Sequence, residues 1–126
     1  MSGLANGFAF GNAVDRIWSP SGELLTILSV PINASASGNT TIVAAVPGKA
    51  IYIISMEFLC AGAVTVEWQS GAGGAVISKG QAFPLGGGKV LPFNPGSWGN
   101  TAINTVLNIN LSAAVQVSGS VQYVVF

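Results

Sequence analysis

No segment of this sequence carries as many as ten residues of helical hydrophobic period; its apolar runs are short and cut at close intervals by glycine and proline. Val64, Val66 and Trp68 alternate strictly with Thr65, Glu67 and Gln69, the period of a strand with one face in a core. Leu24 to Val30 is β-rich and ends at Pro31, followed by a polar loop over residues 33–39. Thr40 to Val46 is closed by Pro47-Gly48, and Val76 to Pro84 lies between the turn at Ser70 to Gly74 and Gly86-Gly87-Gly88. In Ala50 to Cys60, Ile51, Ile53 and Leu59 share one parity while Tyr52, Ile54, Met56 and Phe58 share the other. This run therefore reads as a strand buried on both faces. Val90 to Phe93 is short, and Leu107, Ile109 and Leu111 alternate with Asn108 and Asn110. Val115 to Val117 and Val121 to Phe126 read as a terminal hairpin around Ser118 to Ser120. About eight short strands separated by turn residues predict an all-β chain, an antiparallel, jelly-roll-like β-sandwich over residues 22–126.

Residues 1–21 have a different character. Leu4, Phe8, Phe10, Ile17 and Trp18 stand among Gly, Ala and Asn without a sustained period, and Ser19-Pro20-Ser21-Gly22 then forms a turn. Such a segment is either a strap packed on its own domain or an extended N-terminal arm docked on a neighbouring subunit. Three aromatics with few local partners need burial somewhere, which favours the arm. The start of the chain lacks the basic and apolar regions of a signal peptide. Its longest apolar stretches fall short of the roughly 20 residues of a membrane-spanning helix. No membrane partner is expected, and the single cysteine, Cys60, fits a reducing compartment.

The 126 residues suffice for one domain, and their charge is unusually low. Four Lys and Arg offset four Asp and Glu, eight charges in all, where an ordinary domain of this length carries about 30. A free surface with so little charge tends to associate. Much of it is therefore expected to be covered in the working state, by copies of itself or by other subunits. Nucleic-acid binding through phosphate neutralisation needs a cationic excess that is absent.

Chemistry has little to work with. There is no histidine, which removes imidazole catalysis and imidazole-ligated metal. Glu57 and Glu67 form the only carboxylate pair worth weighing as an acid and base, should their strands lie side by side. They equally suit two solvated strand positions. Cys60 sits in an apolar strand and reads as a small buried hydrophobe. Gly86-Gly87-Gly88-Lys89 lacks both the spacing and the following helix of a phosphate loop. No catalytic residue, metal or cofactor is predicted.

The aromatics are more informative. Phe93 and Trp98 lie in a Pro/Gly-rich loop that is either pinned over the core or buried at an interface. With Phe8, Phe10, Ile17 and Trp18 they make up the candidate partner-binding residues. Trp68 or Trp98, with Asn94 and Asn100 to supply polar contacts, also suits a stacking platform for a glycan, although Trp68 shares the inward parity of Val64 and Val66 and so reads as core.

From about residue 38 to residue 126 a series of phrases follows in order: TIVAAVPGK at 41–49, AGAVTVEWQSG at 61–71, LPFNP at 91–95 and LNINLSAAVQVSG at 107–119. In that order they resemble small virion proteins encoded in tailed-bacteriophage structural gene clusters. The resemblance implies a non-enzymatic role on the particle, made in the host cytoplasm and carried in the virion. A capsid decoration or cement protein is the expected form, often a homotrimer, with the major capsid protein or other virion proteins as partner. A tail- or fibre-associated module recognising a glycan or receptor is the alternative.

Overall fold

The computed structural model describes residues 16–126. Among the described residues are eleven strands: β1 (Ile17–Trp18), β2 (Leu24–Leu25), β3 (Leu28–Ala34), β4 (Gly38–Val43), β5 (Ile51–Cys60), β6 (Val64–Ser70), β7 (Ala75–Phe83), β8 (Gly88–Leu91), β9 (Gly99–Asn100), β10 (Leu107–Leu111) and β11 (Val117–Val125). None of the described residues is helical, so no helix among them is long and apolar enough to cross a membrane. The chain is all-β, and every strand pairing among the described residues is antiparallel.

Two sheets make a sandwich. One has the order β4–β10–β6–β7. The other runs β3–β11–β5, with β8 and β9 sharing the far side of β5. The pairings are nested about the glycine-rich turn at residues 71–74. Ser70 faces Ala75 beside that turn, Met56 faces Leu91 further out, Val43 faces Leu107, and Ala34 faces Val117. Taken outward from that turn, successive pairs fall alternately into the two sheets.

The alternating residues point where their period requires. Val64, Val66 and Trp68 are buried between the sheets with Leu107, Ile109 and Leu111, facing Phe58, Val117 and Val121 of the opposite sheet. Phe58 bridges the layers, its ring 5.3 Å from Phe83 edge-on and 6.5 Å from Trp68.

Strand β5 is apolar at both parities for a local reason. Ser55 faces Gln122 but Ile53 faces Tyr123, so Ile54 is an extra residue and the ladder shifts there. Such a bulge exchanges the two faces of a strand. Before it Ile51 and Ile53 point into the main core; after it Met56, Phe58 and Cys60 do. Tyr52 and Ile54 instead face outward, where Ile17, Leu25 and Ile27 cover them beside Val124 and Phe126. Tyr52 and Phe126 stack at 4.1 Å. Beyond the bulge the outer face is open, and Leu59 is 63% exposed. Burial on two sides thus holds for the first half of the strand alone.

Two expectations are corrected. Pro31 does not end a strand: β3 runs through it to Ala34, with Pro31 opposite Ser120. Since β3 is an edge strand, the missing N–H costs no ladder bond on the open side. Nor do Ser118 to Ser120 form a turn, because β11 passes straight through them and pairs on both sides. Gly119 is there for close approach: a Cβ would stand 1.9 Å from the Glu57 carbonyl oxygen.

Candidate interaction surface

The loop at residues 92–98 owes its position to the two short strands that flank it. Strand β8 pairs with Met56–Leu59 and β9 with Tyr52–Ile53, which leaves the bulged stretch of β5 without a strand partner on that side. The loop takes its place. The Asn94 amide N–H donates to the Ile54 carbonyl at 2.9 Å, and that of Trp98 donates to Ile53 at 2.8 Å. Asn94 then builds the turn with its side chain, Oδ1 accepting from Gly96 N–H at 2.9 Å. Ser97 follows at φ 72°, in the left-handed region. The Trp98 indole N–H donates to the Pro92 carbonyl at 2.8 Å and closes the loop. The backbone is therefore pinned to the sheet, while Phe93 and Trp98 remain 40% and 43% exposed.

The β1–β2 hairpin reaches the same region. Its turn is closed by Ser19 N–H donating to Glu23 O at 2.8 Å and by Ser19 Oγ, 2.9 Å from Ser21 Oγ. Ile17 and Trp18 line a shallow cavity of about 160 Å³ with Pro95, Gly96 and Ser97 of the loop. Ile17 is buried against Ile54 and Val124, whereas Trp18 on the opposite parity is largely exposed. The fold thus brings Ile17 and Trp18 beside the loop that carries Phe93 and Trp98. The other two candidates, Phe8 and Phe10, lie outside the described residues, as does the rest of the proposed arm before Arg16.

A second apolar area was not singled out from the sequence. On the outer face of β5 and β8, Leu59 lies over Gly88, and Val90 stands opposite Glu57. Leu59, Val90 and Leu85 in the preceding turn are all strongly exposed. Glu57 was the available signal: a carboxylate marks its own parity as solvent-facing, and Leu59 two residues on shares that face.

The two glutamates do not meet. Glu57 points outward from β5 and accepts from Ser120 Oγ at 3.1 Å, and Glu67 points outward from β6 in the other sheet. They stand on opposite outer faces of the sandwich. Glu67 accepts from the Gln69 side-chain amide at 2.7 Å, which with the Gly80 N–H and Lys79 holds its carboxyl below the ordinary value. Gln69 and the buried Asn108 continue this network to Asn39. Burial pushes the Cys60 thiol up. Among the described residues no group of three acidic or cysteine side chains is placed to hold a metal ion.

Ten large apolar side chains are exposed among the described residues, which carry only seven charged ones. Compared with known proteins, the chain matches no family model, and no curated protein is significantly similar to it.

Proposed function

We propose that this chain is a non-enzymatic structural protein of a bacteriophage virion, a capsid decoration protein that binds and stabilises the assembled head shell. The observation that carries the reading is the excess of exposed large apolar side chains over charged ones, on a sandwich whose loops are fixed by hydrogen bonds. A surface of that kind is stable in water when neighbouring subunits cover it. The phrases shared with small virion proteins support the same assignment. The nested strand order supports a finer description of the fold as a jelly roll, a five-stranded and a four-stranded layer wound from one long hairpin.

In this reading the mechanism is mass action. A protein that binds the assembled shell and not the dissociated subunits shifts the equilibrium away from disassembly. The contacts are the aromatic rim at Trp18, Phe93 and Trp98 and the outer face at Leu59 and Val90. With few ion pairs to screen, binding varies little with salt. The protein itself is a trimer, and light scattering across a concentration series gives three times the 12.7 kDa chain mass. A monomer at every concentration removes the trimer from the proposal.

Immunogold labelling of purified particles tests the assignment. Label distributed over the head supports it, and particles without label refute it. Label confined to the tail favours instead a module that recognises a glycan or receptor, for which the fixed, half-exposed Trp98 ring would serve as the stacking platform.

A further inference from the structure

Strand β7 is the outer strand of one sheet, and β8 and β9 are the outer strands of the other. Where these edges face each other the sandwich is not filled, and a partly open cavity of about 220 Å³ lies between them. We propose that this seam binds a compact, apolar monocarboxylate.

The walls decide the body of the ligand. Trp68 and Trp98 line the cavity with Ile77 and Leu91, so an apolar, flat group is favoured there. Trp98 is already fixed by its bond to the Pro92 carbonyl, so little order is lost when a ligand packs against it. A cavity of about 150 Å³ holds a benzene ring. The volume here therefore takes one ring with a short arm.

The polar groups decide the other end. Lys89 and Ser78 are the polar side chains of the lining apart from the indoles, and no carboxylate accompanies them. Lys89 Nζ donates to Gln81 Oε1 at 2.6 Å, which leaves further N–H groups of the ammonium for an acceptor. The second observation is independent of the cavity's shape. The Trp68 indole N–H is buried, and no acceptor lies within reach among the described residues. A buried donor in that state is destabilising, and an acceptor brought by a ligand would satisfy it. Ammonium, hydroxyl and indole N–H all donate, so the complement is an anionic acceptor on an apolar body.

The probe is 3-phenylpropionate, titrated into the full chain and followed by ¹H–¹⁵N correlation spectra. The Trp68 indole N–H resonance is expected to move saturably. The neutral 3-phenylpropionamide is expected to bind about tenfold more weakly, as loss of one charge-assisted hydrogen bond predicts. Lys89→Met is expected to weaken the acid by a similar factor and to leave the amide unchanged. Absence of a saturable shift at Trp68, or equal binding of acid and amide by the parent protein, overturns the proposal. The comparison of acid with amide needs no variant, and neither ligand depends on the particle, so the result stands apart from the proposed role on the head.

Discussion

Gly119 is the residue at which one methyl group tests the strand pairing most sharply. It lies in β11, between β5 and β3, opposite Phe58 and Ile32. A Cβ there would stand 1.9 Å from the Glu57 oxygen, 2.8 Å from its carbonyl carbon and 2.7 Å from Phe58 Cα. All three atoms belong to backbone, so no side chain can rotate away. Relief requires the two central strands of the sheet to part by about 1 Å or more, since non-bonded carbon contacts settle at about 3.5–4.0 Å. That movement strains the ladder bonds at this pair, each worth about 1 kcal/mol net. It also shifts Phe58, which joins the layers through Phe83 and Trp68. Overpacking of a tight interior costs about 1–3 kcal/mol; together these put Gly119→Ala near the upper end, about 3 kcal/mol. Urea unfolding followed by tryptophan fluorescence measures it, with Gly48→Ala as the control. Gly48 is left-handed at φ 75° with open space around its Cβ, so the control loses only the backbone term of about 1 kcal/mol. If Gly119→Ala is no less stable than Gly48→Ala, the close approach of β11 to β5 is wrong.

Three further outcomes follow from the surface and the loop. Replacing Leu59 and Val90 together by Lys leaves the unfolding free energy within about 0.5 kcal/mol of the parent but, under the proposed decoration role, abolishes binding to heads; retained binding removes that face from the contact. Glu67 has a folded-state pKa below its ordinary value of 4.5, so its contribution is full above that pH and is lost as the pH falls through the folded value. Stability measured against pH should therefore decline more shallowly in acid for Glu67→Gln than for the parent, and parallel curves would contradict the network around Gln69. Asn94→Ala removes the side-chain acceptor for Gly96 N–H and is expected to cost about 1 kcal/mol. Faster proteolysis at residues 92–98 would accompany it, and unchanged protection would show that the backbone bonds to β5 suffice.

Local features of the fold were legible and long-range ones were not. The alternation at Val64 to Gln69 and at Leu107 to Leu111 specifies which side chains face the core, because a strand's period is fixed by its own backbone. The bulge at Ile54 was hidden, since its cause is the pairing with Gln122 and Tyr123, more than sixty residues away. Gly119 and Pro31 misled for a related reason. Glycine marks turns and close approaches alike, and proline is excluded from central strands but tolerated at edges. Which applies depends on neighbours the local sequence does not name. The rim showed the same division: Phe93 and Trp98 stood out as aromatics in a turn-rich loop, but their proximity to Ile17 and Trp18 required the β1–β2 hairpin to fold onto β5. The seam at Trp68 is a relation between two sheet edges, and no segment carries it alone.

The direct test of the proposed decoration role is to assemble phage heads without the protein, add it back in purified form, and measure bound copies against concentration. Binding that saturates at a fixed number of copies per head, changes little between low and high salt, and raises the temperature at which heads rupture is the predicted result. Heads that take up no protein, or rupture at the same temperature when fully occupied, would contradict a shell-stabilising role.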